Sequence, residues 1–129
     1  MGIQAQFLMM MGMLICLTSF VFADSGTATF YDPPYTPSKC YGKQNNGNMV
    51  AGASDRLWKN GAACGKKYSV KCTGPANKAP HACRGAKTIV VKIVDYCARC
   101  NGTINLSRDA FSQIADPDAG IVKIEYNQA

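Results

Sequence analysis

Six cysteines, Cys40, Cys64, Cys72, Cys83, Cys97 and Cys100, set the terms on which this chain can fold. A seventh, Cys16, lies in an uncharged apolar run, FLMMMGMLICLTSFVF, that ends at Val21-Phe22-Ala23, with small residues at the two positions a signal peptidase reads. The run is short for a membrane span and lacks a basic stop-transfer flank. Residues 1–23 are therefore expected to be a cleaved signal peptide, and residues 24–129 a single secreted domain. Gln6 stands where N-myristoylation needs Ser or Thr, which removes a lipid anchor at Gly2. Cleavage would take Cys16 away and leave 106 residues with an even cysteine count. In a small extracellular domain that pattern means three disulfides, with their connectivity left open.

The formal net charge is +6, all of it after the leader. The basic residues are scattered along the chain between Lys39 and Lys123, without an aromatic-interleaved stripe, which argues against nucleic acid as a partner. An anionic extracellular polymer such as pectic wall polysaccharide suits the charge better, beside the plainer reading in which it only aids solubility.

Strand signals dominate. Residues 26–31 (GTATFY) read as a first strand, ended by three prolines in Asp32-Pro33-Pro34-Tyr35-Thr36-Pro37. After the turn cluster Gln44-Asn45-Asn46-Gly47-Asn48, residues 49–51 (MVA) read as a short strand. Ser54 is placed to cap a short turn through Leu57 and Trp58, stopped by Asn60-Gly61. Residues 67–72 (KYSVKC) alternate with period two and predict a half-buried strand, and residues 73–85 predict a loop. The β-branched run at 88–94 (TIVVKIV) is the strongest strand signal in the chain. Residues 107–115 predict one short helix with Ala110, Phe111 and Ile114 on its apolar face, and residues 120–126 a closing strand. Short strands separated by turn signals predict an all-β barrel or sandwich.

Chemistry-bearing residues are few. The one histidine, His81, sits in the Pro/Gly loop beside Cys83, so a nucleophilic triad has no base to use. Cys97-Ala98-Arg99-Cys100 has C-x-x-C spacing without the second pair a zinc site requires, and reads as a structural disulfide. No metal or cofactor is expected. Asp95 is the carboxylate that follows the buried run into a loop. Ten residues on, where a second carboxylate would complete an acid/base pair, stands Asn105, whose amide neither gives nor takes a proton near neutral pH. Asn101-Gly102-Thr103 and Asn105-Leu106-Ser107 are both N-glycosylation sequons.

Several long motifs in order carry a resemblance. They are GTATFYDPPYTPS (residues 26–38), ASDRLW (53–58), NGAACG (60–65), CRG (83–85), VKIVDYC (91–97) and AFSQIA (110–115). The chain resembles the plant natriuretic peptides, the short secreted branch of the expansin-like proteins. The resemblance implies a six-stranded double-psi β-barrel like the first domain of expansins and family-45 endoglucanases. It also implies nearest-neighbour disulfides, Cys40–Cys64, Cys72–Cys83 and Cys97–Cys100. The β-sandwich that follows the barrel in expansins is not expected, the sequence ending at Ala129.

For function, the resemblance implies an apoplastic, monomeric signal for water and solute homeostasis. It would act through a plasma-membrane receptor and cyclic GMP, without wall-loosening or hydrolase activity. The family's active segment maps here from Pro34 to Tyr68, with Tyr41 and Trp58 as aromatic candidates for receptor contact. Trp58 has a second reading as a core residue. Thr29, Tyr31 and Asp95 match expansin groove positions, while Asn105 replaces the family's groove aspartate, leaving a vestigial groove. Lys59 replaces a frequent Asp, and Cys97-Ala98-Arg99-Cys100 is one residue shorter than the corresponding loop of relatives. Two other classes stay open: a wall-binding or defence protein of the barwin and kiwellin type, and a weak glucan-active enzyme using Asp95.

Overall fold

The alternation seen in the sequence becomes two faces of one closed sheet. In a computed structural model, which describes residues 22–129, the strands are β1 (Asp24–Tyr31), β2 (Val50–Ala53), β3 (Lys67–Pro75), β4 (Thr88–Tyr96), β5 (Ile104–Ser107) and β6 (Val122–Gln128). They close in the order β1-β5-β2-β4-β3-β6. β1–β5 and β2–β4 pair parallel, and the other four pairings are antiparallel. Closure leaves no unpaired strand edge, which protects a β-rich domain from edge-to-edge association. This is the double-psi barrel that the resemblance implies. The expected leader lies outside the described residues except for Phe22 and Ala23.

Inward positions are apolar on every long strand. On β4, Ile89, Val91 and Ile93 are buried while Thr88 and Val90 face out; on β6, Val122, Ile124 and Tyr126 are buried while Lys123 and Glu125 face out. All four residues of β2 are buried, because the strand runs between β4 and β5 and the loop carrying Tyr35, Ser38 and Asn46 covers Val50 from outside. Helix α1 (Asp55–Trp58) follows β2, and helix α2 (Arg108–Ile114) closes one end of the barrel, burying Ala110, Phe111 and Ile114. The Phe111 ring lies 4.9 Å from that of Phe30 on β1.

Three disulfides staple the connections. Cys40–Cys64, Cys72–Cys83 and Cys97–Cys100 have Cα–Cα separations of 5.6, 5.6 and 5.5 Å. The first bridges two loops that are both bonded to β4, through Cys40 N–H to Val94 O and Gly65 N–H to Ile93 O. The second joins β3 to the segment that leads past α2, where Arg84 N–H donates to Ile114 O.

The structure differs from the local expectations in several places, among them the closing strand, which runs Val122–Gln128. β5 escaped notice, because only Ile104 and Leu106 of its four residues are apolar. β3 continues to Pro75, past the expected loop start at Thr73, through a register shift between Cys72 and Gly74. Met49 stands before β2, not within it. The turn at 55–58 is helical, so there are two short helices, not one. Ser54 occupies the N-cap position of α1 without capping it, and among the described residues its buried hydroxyl has no partner. α1 stops because Lys59 and Asn60 turn left-handed, at φ 48° and 55°.

Ser107 is the cap that does form. Its Oγ accepts from Ala110 N at 3.1 Å and donates to the Asn48 carbonyl, tying α2 to the loop over β2. Ser107→Ala is expected to cost ~1–2 kcal/mol, read as a lower urea midpoint at unchanged m-value. A midpoint equal to wild type would show that the cap carries no stability.

Candidate functional site

Strand pairing places residues from four strands in one row. Asp95 on β4 is registered with Gly52 on β2, Gly52 with Asn105 on β5, and Asn105 with Thr29 on β1. The expected groove residues are thus brought together, with Tyr31 two residues along β1 on the same face. The row lies on the outer side of the sheet, since the neighbours Ala28, Ala53, Ile104 and Leu106 fill the core.

Each member of the row is held. Thr29 Oγ1 donates to Asn105 Oδ1 at 2.9 Å. Asp95 Oδ1 accepts from the backbone N–H groups of Lys39 and Tyr96, both at 3.0 Å. Gly52, between them, is buried, and a Cβ built there would touch the Asp95 carbonyl at 3.6 Å and Cys97 Cβ at 3.7 Å, ordinary contact distances that leave the row low at this point. Asp95 and Asn105 are two strand steps apart, a backbone separation of about 9.5 Å.

Aromatic rings flank the row. Tyr31 packs edge-on against Tyr35 with centroids 5.2 Å apart, and Tyr35 donates its hydroxyl to Asp109 Oδ2 at 2.9 Å. Burial pushes the ionisation of Tyr31 far above the ordinary tyrosine range, and the nearby Asp95 and Tyr35 add to it. Its hydroxyl therefore keeps its proton and stays a donor, and among the described residues it has no partner. At the other side Trp58 stacks on Tyr96 at 4.9 Å with an interplanar angle of 18°. The Tyr96 hydroxyl donates to Asp55, which fixes the pair to α1. Beyond it a depression of about 260 Å³ opens between α1 and the Cys97–Cys100 loop, lined by Ser54, Asp55, Arg56, Asn101 and Thr103 among others.

The receptor-contact candidates differ in exposure. Trp58 is half-buried against the core edge and beside the row, between its two expected roles. Pro34 is exposed. Tyr41 is half-buried, with Lys92 Nζ 4.6 Å above its ring. Tyr68 must be withdrawn as a contact, because it is a core residue only 8% exposed, with its ring 6.1 Å from that of Tyr126. The stretch from Pro34 to Tyr68 is not all surface, since it contains the buried strand β2. Of the two sequons, Asn101 is exposed, whereas Asn105 lies within a paired strand with its amide oxygen engaged by Thr29.

Tyr35, Tyr96 and Gly52 were not singled out from the sequence. Tyr96 had a legible signal, as the residue directly after Asp95. Tyr35 and Gly52 join the site only through the Pro-rich loop and the β2 pairings. Among the described residues no group of three His, Cys, Asp or Glu side chains could hold a metal ion.

What the arrangement offers is a shallow trough with hydrogen-bonding groups on its floor and stacked rings on its wall. Its row carries one carboxylate, Asp95, and one amide, Asn105. Residues 50–126 match the family described as lytic transglycolase (DPBB_1). The chain is 55% identical to an EG45-like domain containing protein of Citrus jambhiri over the full length of both. It is 54% identical to a putative EG45-like domain containing protein of Arabidopsis thaliana, covering 88% of this chain and 89% of that one. A Clavibacter michiganensis expansin, solved as a point mutant in complex with cellohexaose, superposes with a TM-score of 0.62 at 27% identity. That match takes in 84% of this chain and half of the expansin's length.

Proposed function

This chain belongs to the EG45-like domain proteins, expansin-related double-psi β-barrels, and we propose that it works as a secreted, non-hydrolytic plant natriuretic peptide-like signal in water and solute homeostasis. In this reading residues 1–23 are removed on secretion, the domain 24–129 acts in the apoplast, and a plasma-membrane receptor relays binding through cyclic GMP. Asn101 is then the sequon open to glycosylation. The observation that carries the non-hydrolytic part is the row itself: its second proton-transfer position is Asn105, already engaged as an acceptor by Thr29. General acid/base catalysis has one partner there, not two. The signalling part is supported by the resemblance in sequence to the natriuretic branch.

The fold alters where recognition is sought. A segment that includes β2 keeps its conformation only while β4 and β5 flank it. The folded domain, not an excised peptide, is therefore the form expected to signal. Trp58 is the contact to test, because it is half-buried, stacked and beside the trough, and aromatic residues dominate binding hot spots.

A second reading has its own observation. The Trp58–Tyr96 stack beside the Asp95–Asn105 row resembles a sugar-binding wall in chemistry, and the Clavibacter relative holds cellohexaose. Groove binding of a neutral glucan without cleavage is compatible with the same residues.

The deciding experiment applies oxidised, folded protein to leaf protoplasts and follows swelling and cyclic GMP. Wild type is expected to raise both, and Trp58→Ala, with a native circular dichroism spectrum, to need about tenfold more protein or greater. Swelling without cyclic GMP, or no response to wild type, would remove the signalling reading. A cellohexaose titration that Trp58→Ala abolishes would favour the glucan reading.

A further inference from the structure

The basic residues that look scattered along the chain are gathered by the topology. Eleven of the fourteen Lys and Arg lie between Pro33 and Val94, where Asp55 is the single carboxylate. The remaining residues carry three basic and seven acidic side chains. The first span supplies β2, β3 and all of β4 except its last two residues, Asp95 and Tyr96, which border the trough, and the flanking spans supply β1, β5 and β6. In the closed order β1-β5-β2-β4-β3-β6 each set forms one continuous half of the barrel. The wall is therefore electrostatically two-sided, with the trough running from the acidic half onto β2 and β4 and the β4–β3 wall beyond it.

On that wall the charges crowd. Lys67 and Lys92 are directly opposed across the β3–β4 pairing, an arrangement that like charges disfavour unless an anion or another group compensates. Lys66, just before β3, has its carbonyl accepting from Ile93 N at 2.9 Å and lines, with Lys67, the adjoining depression at the start of the strand. Among the described residues the one ion pair is Arg108–Asp32, so none of these three lysines is neutralised by a partner. Lys92 is propped in place, its Nζ above the Tyr41 ring and 2.8 Å from Asn46 Oδ1. Between Lys67 and Lys92 lies a depression of about 380 Å³ whose floor includes Met49 and Val90. Val90 is 47% exposed, one of two large apolar side chains exposed to that degree among the described residues. An apolar floor rimmed by ammonium groups fits a ligand with one apolar face and a carboxylate at its edge, which is the chemistry of a uronate ring.

We propose that the outer wall of β3 and β4, through Lys66, Lys67, Lys92 and Val90, is a docking surface for an acidic, uronate-containing polysaccharide, separate from the trough. Bound by this wall, the protein would sit on an acidic polymer with the Asp95–Asn105 face still open. The choice of a uronate polymer rests on the extracellular plant setting proposed above. The surface itself rests only on charge and geometry.

The test is binding of purified, oxidised protein to polygalacturonate, with its fully methyl-esterified form as the neutral control. Wild type is expected to bind the free acid at low salt, to lose affinity steeply as salt rises, and to bind the ester weakly. The Lys66→Gln/Lys67→Gln/Lys92→Gln triple is expected to bind about tenfold more weakly or worse. The matching Lys-to-Arg triple should retain binding. A second triple, Lys78→Gln/Arg99→Gln/Lys123→Gln, removes the same charge from exposed positions elsewhere and should change affinity little. Equal losses in the two Gln triples would show diffuse net charge and no docking wall, overturning the proposal. Wild-type binding that ignores esterification would overturn it as well. Protoplasts are not used, so failure here and failure of the signalling reading are separately visible.

Discussion

Phe111→Ala should be the most damaging single substitution in the barrel, lowering stability by ~3–5 kcal/mol. Phe111 is fully buried on α2, its ring packs 4.9 Å from Phe30 of β1, and its neighbours Ala110 and Ile114 are buried with it. Truncation would leave a cavity where the helix meets the barrel end, and β1 and β5, which converge there, cannot collapse inward without breaking their pairing. Single domains are held by only about 5–15 kcal/mol in all. The expected result is therefore a domain that unfolds at far lower urea, or that fails to accumulate in secreted form. Phe111→Leu, which keeps most of the volume, should cost much less. A Phe111→Ala protein with a midpoint within error of wild type would mean that α2 is an accessory to the barrel and not part of its core.

That α2 would be a helix with this buried face was legible from Ala110, Phe111 and Ile114 alone, and β4 and β6 were equally plain from their alternation. β5 was not, because a four-residue strand with Asn105 and Ser107 among its members has too few apolar positions to show a period. The same shortness hid Gly52 and the row across it. Residues 29, 52, 95 and 105 meet only because two parallel pairings and one antiparallel pairing bring distant segments together, and local pattern carries no record of that. The resemblance supplied the closure, and with it the groove.

Tyr68 shows the opposite case. The alternation of residues 67–72 already put Tyr68 on the face of Val70 and Cys72, which fill the core. Its inclusion in a contact segment followed the resemblance against the local pattern, and the local pattern was right. Ser54 is a different failure: the residue type and position suit an N-cap, yet its side chain turns into a buried site and makes no cap bond. The charge segregation was present in the sequence as a run of lysines with one intervening carboxylate. It acquired meaning only once β2, β4 and β3 were known to be contiguous.

The wild-type protein is expected to show no measurable hydrolysis of cellulose, xyloglucan or peptidoglycan between about pH 4 and 8, since one of the two proton-transfer groups is an amide. Peptidoglycan belongs in the panel because the matching family is described as lytic transglycolase. The geometry makes the comparison informative. Asp95 and residue 105 are separated by two strand steps, about 9.5 Å along the sheet. Paired carboxylates roughly 6.5–9.5 Å apart leave room for a water, as inverting glycoside hydrolases require. Asn105→Asp would place a second carboxylate across β2 from Asp95, with Thr29 Oγ1 already positioned to donate to it and only a glycine in register between them. Each acid or base is worth roughly 10²–10⁴ in rate, so this is the single change in which cleavage should first emerge. Asp95→Ala in the Asn105→Asp background should then erase it. The two wild-type-background proteins, with and without Asp95, should be indistinguishable from buffer. Cleavage by wild type that disappears in Asp95→Ala would reverse the conclusion, because it would mean that the trough performs catalysis with one carboxylate and an amide.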